Sequence, residues 1–153
     1  NGAVLEAISQ ASKGDILVID AKGNTNRAVA GDFVMQLAQG VGVQGFVVDG
    51  VIRDLAAART IDFPVFSLGT TVAAGSKNGG GTVDVPIAVG GVVVQSGDYV
   101  IGDIDGVIIV PQADIEKVME AAELKVQKDA AREKEALHNG EESIRAYLAK
   151  VVK

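Results

Sequence analysis

Two short aliphatic runs, "ILVIDA" (16–21) and "GFVVD" (45–49), stand on either side of "FVMQLAQG" (33–40), which has helical periodicity. Both runs are apolar without alternation, so each reads as a strand buried on both faces. Strand, helix and strand joined by short connections make a parallel βαβ unit. Asp32 is placed to cap the helix start, and Gly40 or Gly42 to end it. The stretch "GNTNRAVAGD" reads as a polar connection between the first strand and the helix.

The flanking segments extend this α/β unit. "AVLEAISQAS" (3–12) puts Val4, Leu5, Ile8 and Ala11 on one helical stripe. After the second strand, "DLAAAR" is a helical turn or two, and "FPVFSLG" (63–69) is a third strand. "TTVAAGSKNGGG" (70–81) is a long flexible loop, either a mobile lid beside a site or a plain surface loop. Between 82 and 111, the turns "GG", "SGD" and "DIDG" divide short strands into a compact β-meander. A long helix of mixed charge starts at Gln112. "HNG" breaks it, and "EESIRAYLAKVVK" forms a last helix. The expected organisation is one domain over 1–153, with 112–153 a helical extension. That extension is too long and polar to be all core and is suited to packing along a neighbouring subunit. The chain opens at Asn1 without a methionine, so a further N-terminal segment is expected upstream.

Composition narrows the function classes. Hydrophobic residues make up 48 % and aromatics only 4 %, so the core is aliphatic. With no cysteine, disulfides, thiolate nucleophiles and Cys-based metal sites are excluded, which fits the cytoplasm. A net charge of −6 lacks the basic footprint that nucleic-acid binding needs. There is no apolar run long enough for a membrane span and no signal-peptide pattern. Small anionic substrates remain open, because a local arginine and a metal ion can dominate a site's field.

Several motifs have a bland explanation. "GVGVQG" (40–45) matches the dinucleotide fingerprint, but a helix precedes it and a strand follows, the reverse of what a pyrophosphate needs. It reads as a helix-ending turn. "AGSKNGGG" lacks the spacing of a phosphate loop. "DIDG" (103–106) does not continue as a calcium loop and reads as a β-turn. His138, the single histidine, sits at a helix end, where a cation favours the dipole.

"DGVIRD" (49–54) is different. Arg53 and Asp54 close an apolar strand at its C-terminal end, where ligands of open α/β sheets gather. The "GDFV" stretch (31–34) opens the preceding helix and offers free backbone N–H groups to a carboxylate. Arginine binds carboxylates bidentately or stabilises an enolate, and an aspartate holds a hard divalent cation. On spacing alone, an exposed Arg–Asp ion pair of little energetic weight explains the two residues equally well.

"GDFVMQLAQGVGVQGFVVDGVIRD", then "FPVFSLGTT" and "GGVVVQSGDYVIGDIDGVIIVP", resemble the RraA-like family over roughly residues 2–145. That family includes 4-hydroxy-4-methyl-2-oxoglutarate aldolases that also decarboxylate oxaloacetate. The resemblance implies a compact swivelling β/β/α fold, assembled as homotrimers or hexamers with active sites between subunits. It implies that the backbone of Gly31, Asp32, Phe33 and Val34 receives the carboxylate of a 2-oxo acid. It further implies that Arg53 contacts the substrate and stabilises the enolate, and that Asp54 ligates magnesium or manganese. Two departures bear on this. Active members usually carry an acidic residue three places after the aspartate, where this chain has Ala57. A glutamate from a neighbour's C-terminal helix is matched only loosely, with Asp129, Glu133 and Glu135 as candidates. The family's namesake is instead a protein inhibitor of a ribonuclease. Its branch does not keep the Arg–Asp pair intact, so a non-catalytic protein-binding regulator is the alternative reading.

Overall fold

The structure is a computed structural model that describes residues 2–76, 78 and 80–152. The chain divides into two compact units, 1–111 and 112–153.

In the first unit, three parallel strands form the central sheet in the order β1-β2-β3: β1 (Ile16–Ala28), β2 (Gly45–Ile52) and β3 (Val65–Thr70). α1 (Gly2–Gln10) precedes β1, α2 (Asp32–Gly40) joins β1 to β2, and the one-turn α3 (Leu55–Ala58) follows β2. The βαβ reading therefore holds. Alternation along β2 separates two faces. Phe46, Val48 and Ile52 face a core that also holds Val4 and Ile8 of α1 and Val34, Met35 and Ala38 of α2. Phe46 and Met35 are completely buried, and the Phe63 ring meets Phe46 edge-on at 4.9 Å. Val47 and Val51, also buried, lie outside that cluster. On the opposite side of β3 from Val65, the Phe66 ring packs against Gly102, where any Cβ would come within 2.7 Å of it. A second β layer thus lies across the sheet from the helices, which gives the expected β/β/α order.

That layer is two separate antiparallel hairpins, not one meander. β4 (Ile87–Val89) pairs with β5 (Val92–Val94), and β6 (Tyr99–Asp103) pairs with β7 (Gly106–Val110). Gly90 and Gly91, at φ 56° and 80°, supply the left-handed two-residue turn that a tight hairpin demands. "DIDG" is the turn between β6 and β7, with the Asp105 N–H donating to Asp103 Oδ1 at 2.8 Å.

β1 is longer than its apolar run. Its partners on β2 advance regularly up to Asp20↔Asp49, then jump to Asn24↔Gly50 and Ala28↔Val51. Eight steps along β1 thus match two on β2. Lys22 and Gly23, at φ 56° and 66°, start the excursion, and residues 22–27 are exposed. The stretch read as a polar connection is therefore a bulged strand edge. Its polar side chains face solvent while the backbone returns to pair at Ala28. α2 also starts one residue early: Gly31 is the N-cap and Asp32 the first helical residue. At the other end Val41 is the C-cap, and Gly42 (φ 95°) follows it in the left-handed conformation, donating its N–H to Gln39 O at 3.0 Å.

The second unit is a helical pair, α4 (Ile115–Leu137) and α5 (Gly140–Val151). Gln112–Asp114 forms a 3-10 turn, so the α-helix itself starts at Ile115. Ser143 fixes the break. Its hydroxyl donates to Ala136 O at 2.9 Å and accepts the Asn139 N–H at 3.1 Å, while Gly140 takes φ 57°. No residue of α4 is buried. Among the described residues, no helix is long and apolar enough to cross a membrane.

Candidate functional site

Parallel strands bring their C-terminal ends to one edge, and there Ala28, Ile52 and Thr70 converge. A cavity of about 220 Å³ opens at this edge, lined by Ala28, Ala30, Gly31, Asp32, Phe33, Val34, Arg53, Ala74 and Gly75. All four residues of the "GDFV" helix start and Arg53 are in its wall. The Arg53 N–H donates to Ala30 O at 3.0 Å, which ties the end of β2 to the segment entering α2.

Asp54 stands beside the wall. Its Oδ2 lies 3.2 Å from Arg53 Nε and accepts the Asp32 N–H at 3.4 Å. The two side chains are 44 % and 37 % exposed. The ion pair expected of neighbouring charges is thus present, and it is built into the cavity edge. Asp54 holds φ 59° and ψ 39° as the N-cap of α3. Aspartate tolerates this left-handed conformation better than most residues, which puts an energetically uncommon backbone at the site. Gly31 is needed for a different reason: a Cβ there would land on Asp54 Oδ2 and press on the Arg53 side chain.

The start of α2 already holds carboxylates. Phe33 N–H donates to Asp32 Oδ1 at 2.7 Å, and Asp32 N–H faces Asp54. Both carboxylate oxygens stand in for an incoming anion at a helix N-terminus. A substrate carboxylate would have to displace the Asp32 side chain to reach Phe33 N–H.

The donor set defines what cation the site can take. Among the described residues, no three His, Cys, Asp or Glu side chains group closely enough to cage a metal. Asp54 is one partly exposed carboxylate whose Oδ2 is already engaged. One carboxylate fits magnesium or manganese, which keep several waters and are completed by substrate oxygens. It does not fit an all-protein cage.

The other singled-out residues lie elsewhere. Ala57 is a half-buried residue of α3 whose carbonyl accepts Thr60 N–H and Oγ1. Asp129 is held by Lys125 and Arg132 within α4, and the ammonium of Lys125 keeps its carboxyl below the usual range. Glu135 pairs with Lys150 across the helical pair, which pushes the lysine up. Glu133 also lies on α4. His138 Nδ1 is 2.9 Å from Glu135 O at the end of α4. "GVGVQG" spans the end of α2 and the start of β2, the helix-ending turn that was expected. The "AGSKNGGG" reading includes Lys77 and Gly79, which lie outside the described residues. Within the 70–81 loop, residues 73–75 are tied to β1, and the cavity uses Ala74 and Gly75. These two, with Ala28 and Ala30, escape a sequence reading because alanine and glycine carry no chemical signature. Their position after a strand's C-terminal end was the available signal.

The family model described as RraA-like, Aldolase/RraA, matches residues 1–109. A Halalkalibacterium halodurans protein provisionally named 4-hydroxy-4-methyl-2-oxoglutarate aldolase is 49 % identical over 152 residues, covering 99 % of this chain and 72 % of that protein. The solved structure of an uncharacterised Pseudomonas syringae pv. tomato protein matches with a TM-score of 0.82 at 28 % identity, over 97 % of this chain and 70 % of that one. Streptomyces coelicolor RraAS2, described as an unusual member of the RNase ES inhibitor RraA protein family, matches with a TM-score of 0.78 at 30 % identity, over 85 % and 67 %. The chain belongs to the RraA-like family, which joins aldolases, a class of carbon–carbon lyases, with RraA proteins.

Proposed function

We propose that the chain is a divalent-metal-dependent aldolase that cleaves 2-oxo acids of the 4-hydroxy-4-methyl-2-oxoglutarate type to pyruvate and also decarboxylates oxaloacetate. The observation that carries this reading is the convergence of Arg53 with the opening turn of α2 on one cavity, with Asp54 at its edge. The relative named as an aldolase supports the reaction class.

The cavity's residues divide the work. The backbone N–H groups that open α2 bind the substrate carboxylate, assisted by the positive end of the helix. Asp32 yields its place on Phe33 N–H as that carboxylate arrives. Arg53 faces the keto oxygen, where charge accumulates when the C–C bond breaks, and its fixed cation stabilises the pyruvate enolate. The same stabilisation serves retro-aldol cleavage and loss of carbon dioxide, because both leave their electron pair in that enolate. Asp54 would hold the magnesium or manganese ion, which supplies a Lewis acid. With Ala57 in that place the chain offers no second carboxylate to orient the waters of a bound ion, so metal affinity or activity would be lower than in members that carry one.

The test is pyruvate release from oxaloacetate and from 4-hydroxy-4-methyl-2-oxoglutarate, with magnesium and with a chelator. Chelator-sensitive release is expected, and its absence from both substrates overturns the proposal. The second reading, a non-catalytic regulator that binds a ribonuclease, draws on Ala57 and on the likeness to RraAS2. Tight ribonuclease binding without turnover would favour it. The remaining proposals are a homotrimer or hexamer with shared sites, and a single domain over 1–153. Light scattering and domain-wise unfolding check these two.

A further inference from the structure

One wall of the cavity comes from neither the βαβ unit nor the Arg–Asp pair. The chain leaves β3, and Thr71 N–H bonds to Ile52 O at 2.9 Å, at the end of β2. It then reaches the end of β1, where Ala28 N–H donates to Ala73 O at 2.9 Å and Gly75 N–H donates to Ala28 O at 3.1 Å. Ala28 and Ala74 form an isolated parallel bridge. Gly75 can come this close only without a side chain, since a Cβ would sit 2.7 Å from Ala28 O. A single bridge with two backbone hydrogen bonds is a weak attachment, of the kind that opens locally at little cost. One side chain adds to it. Arg27 Nη1 donates to Ala74 O at 3.1 Å, across 47 residues of sequence. Ala74 and Gly75 are both cavity wall.

We propose that Arg27 is a positioning residue that latches segment 73–75 in place as the cavity's third wall and so sets substrate affinity. The link to substrate rests on the aldolase reading, whereas the latch itself does not. Arg27 is exposed and touches the wall through a carbonyl, so it acts on binding through Ala74 and takes no part in bond breaking. Its donor can be supplied by lysine but not by methionine.

The experiment compares wild type, Arg27→Met and Arg27→Lys. One hydrogen bond governs the effect, so Arg27→Met should raise the KM for oxaloacetate about tenfold with kcat changed less than about twofold. Amide exchange at Gly75 and Ala28 should also speed up, and Arg27→Lys should restore both. A general loss of stability would instead lower the melting temperature and kcat together. Unchanged exchange at Gly75 in Arg27→Met overturns the latch. Faster exchange with an unchanged KM overturns its role in binding. If the wild type releases no pyruvate, the aldolase reading fails, and the exchange measurement still decides the latch.

Discussion

The two units are held together by different means. The first buries an aliphatic core on both faces of β2, with Phe46 and Met35 out of solvent altogether. Among its described residues the second buries one side chain, the hydroxyl of Ser143, and it lines its helices with exposed ion pairs. Burial gives each residue of a packed strand a fixed position to within a rotamer. Exposed pairs of long side chains give little energy and little precision. The cavity is built where the rigid part ends, and Arg53 and Asp54 follow directly on the most buried strand. A site that must aim a guanidinium gains from that neighbour.

Removing the anchor of the rigid unit gives the largest expected effect. Phe46→Ala leaves a void beside Phe63 and should lower stability by about 3–5 kcal/mol, read from the chemical-denaturation midpoint. An effect below that of a surface substitution would break the contrast. Arg53→Ala tests whether rigidity is spent on chemistry. Pyruvate release should fall by roughly 10²–10³, about 2.7–4 kcal/mol of barrier, with the melting temperature unchanged. Gly31→Ala sharpens the comparison, because its Cβ strikes Asp54 Oδ2. The resulting shift should cost about 1–3 kcal/mol and cut turnover at the same time.

Next comes pH. The Asp20 carboxyl is held below its ordinary range by a hydrogen bond from Lys22, and its side chain is only 5 % exposed. A lowered folded-state pKa adds stability that is complete above the unfolded value, about pH 4, and is lost as pH falls through the folded value. Asp20→Asn should therefore flatten the acid limb of the stability profile while leaving activity near neutrality intact. The smallest effect belongs to the second unit. Glu135→Ala removes the contact with Lys150, and circular dichroism should show no resolvable change in melting.

The sequence makes the parallel unit plain because burial writes itself as unbroken Val, Ile and Phe, although only β2 is buried on both faces and residues 16–21 of β1 are half-buried. The same rule misled at β1. Residues 22–27 are polar because they are exposed, yet exposure did not end the strand. A bulge re-phased it, and a bulge depends on φ values at Lys22 and Gly23 that composition does not encode. The division of residues 82–111 into two ladders was equally hidden, since turn glycines mark where strands end and not which strands pair. At the site, Arg53 and the helix start were legible through charge and strand-end position. Arg27 was not, because its partner is a backbone carbonyl 47 residues away.

Asp54 carries two independent demands on one codon. Its left-handed backbone admits few side chains, chiefly glycine, asparagine and aspartate, while its carboxylate contacts Arg53 and the start of α2. Saturation mutagenesis should therefore sort variants into two tiers. Asparagine and glycine should keep the fold and reveal the value of the negative charge. Bulky or β-branched replacements should register first as folding defects and say nothing about chemistry. An alanine scan alone would confound the two, whereas asparagine isolates the ionic contribution at a position where conformation has already been selected.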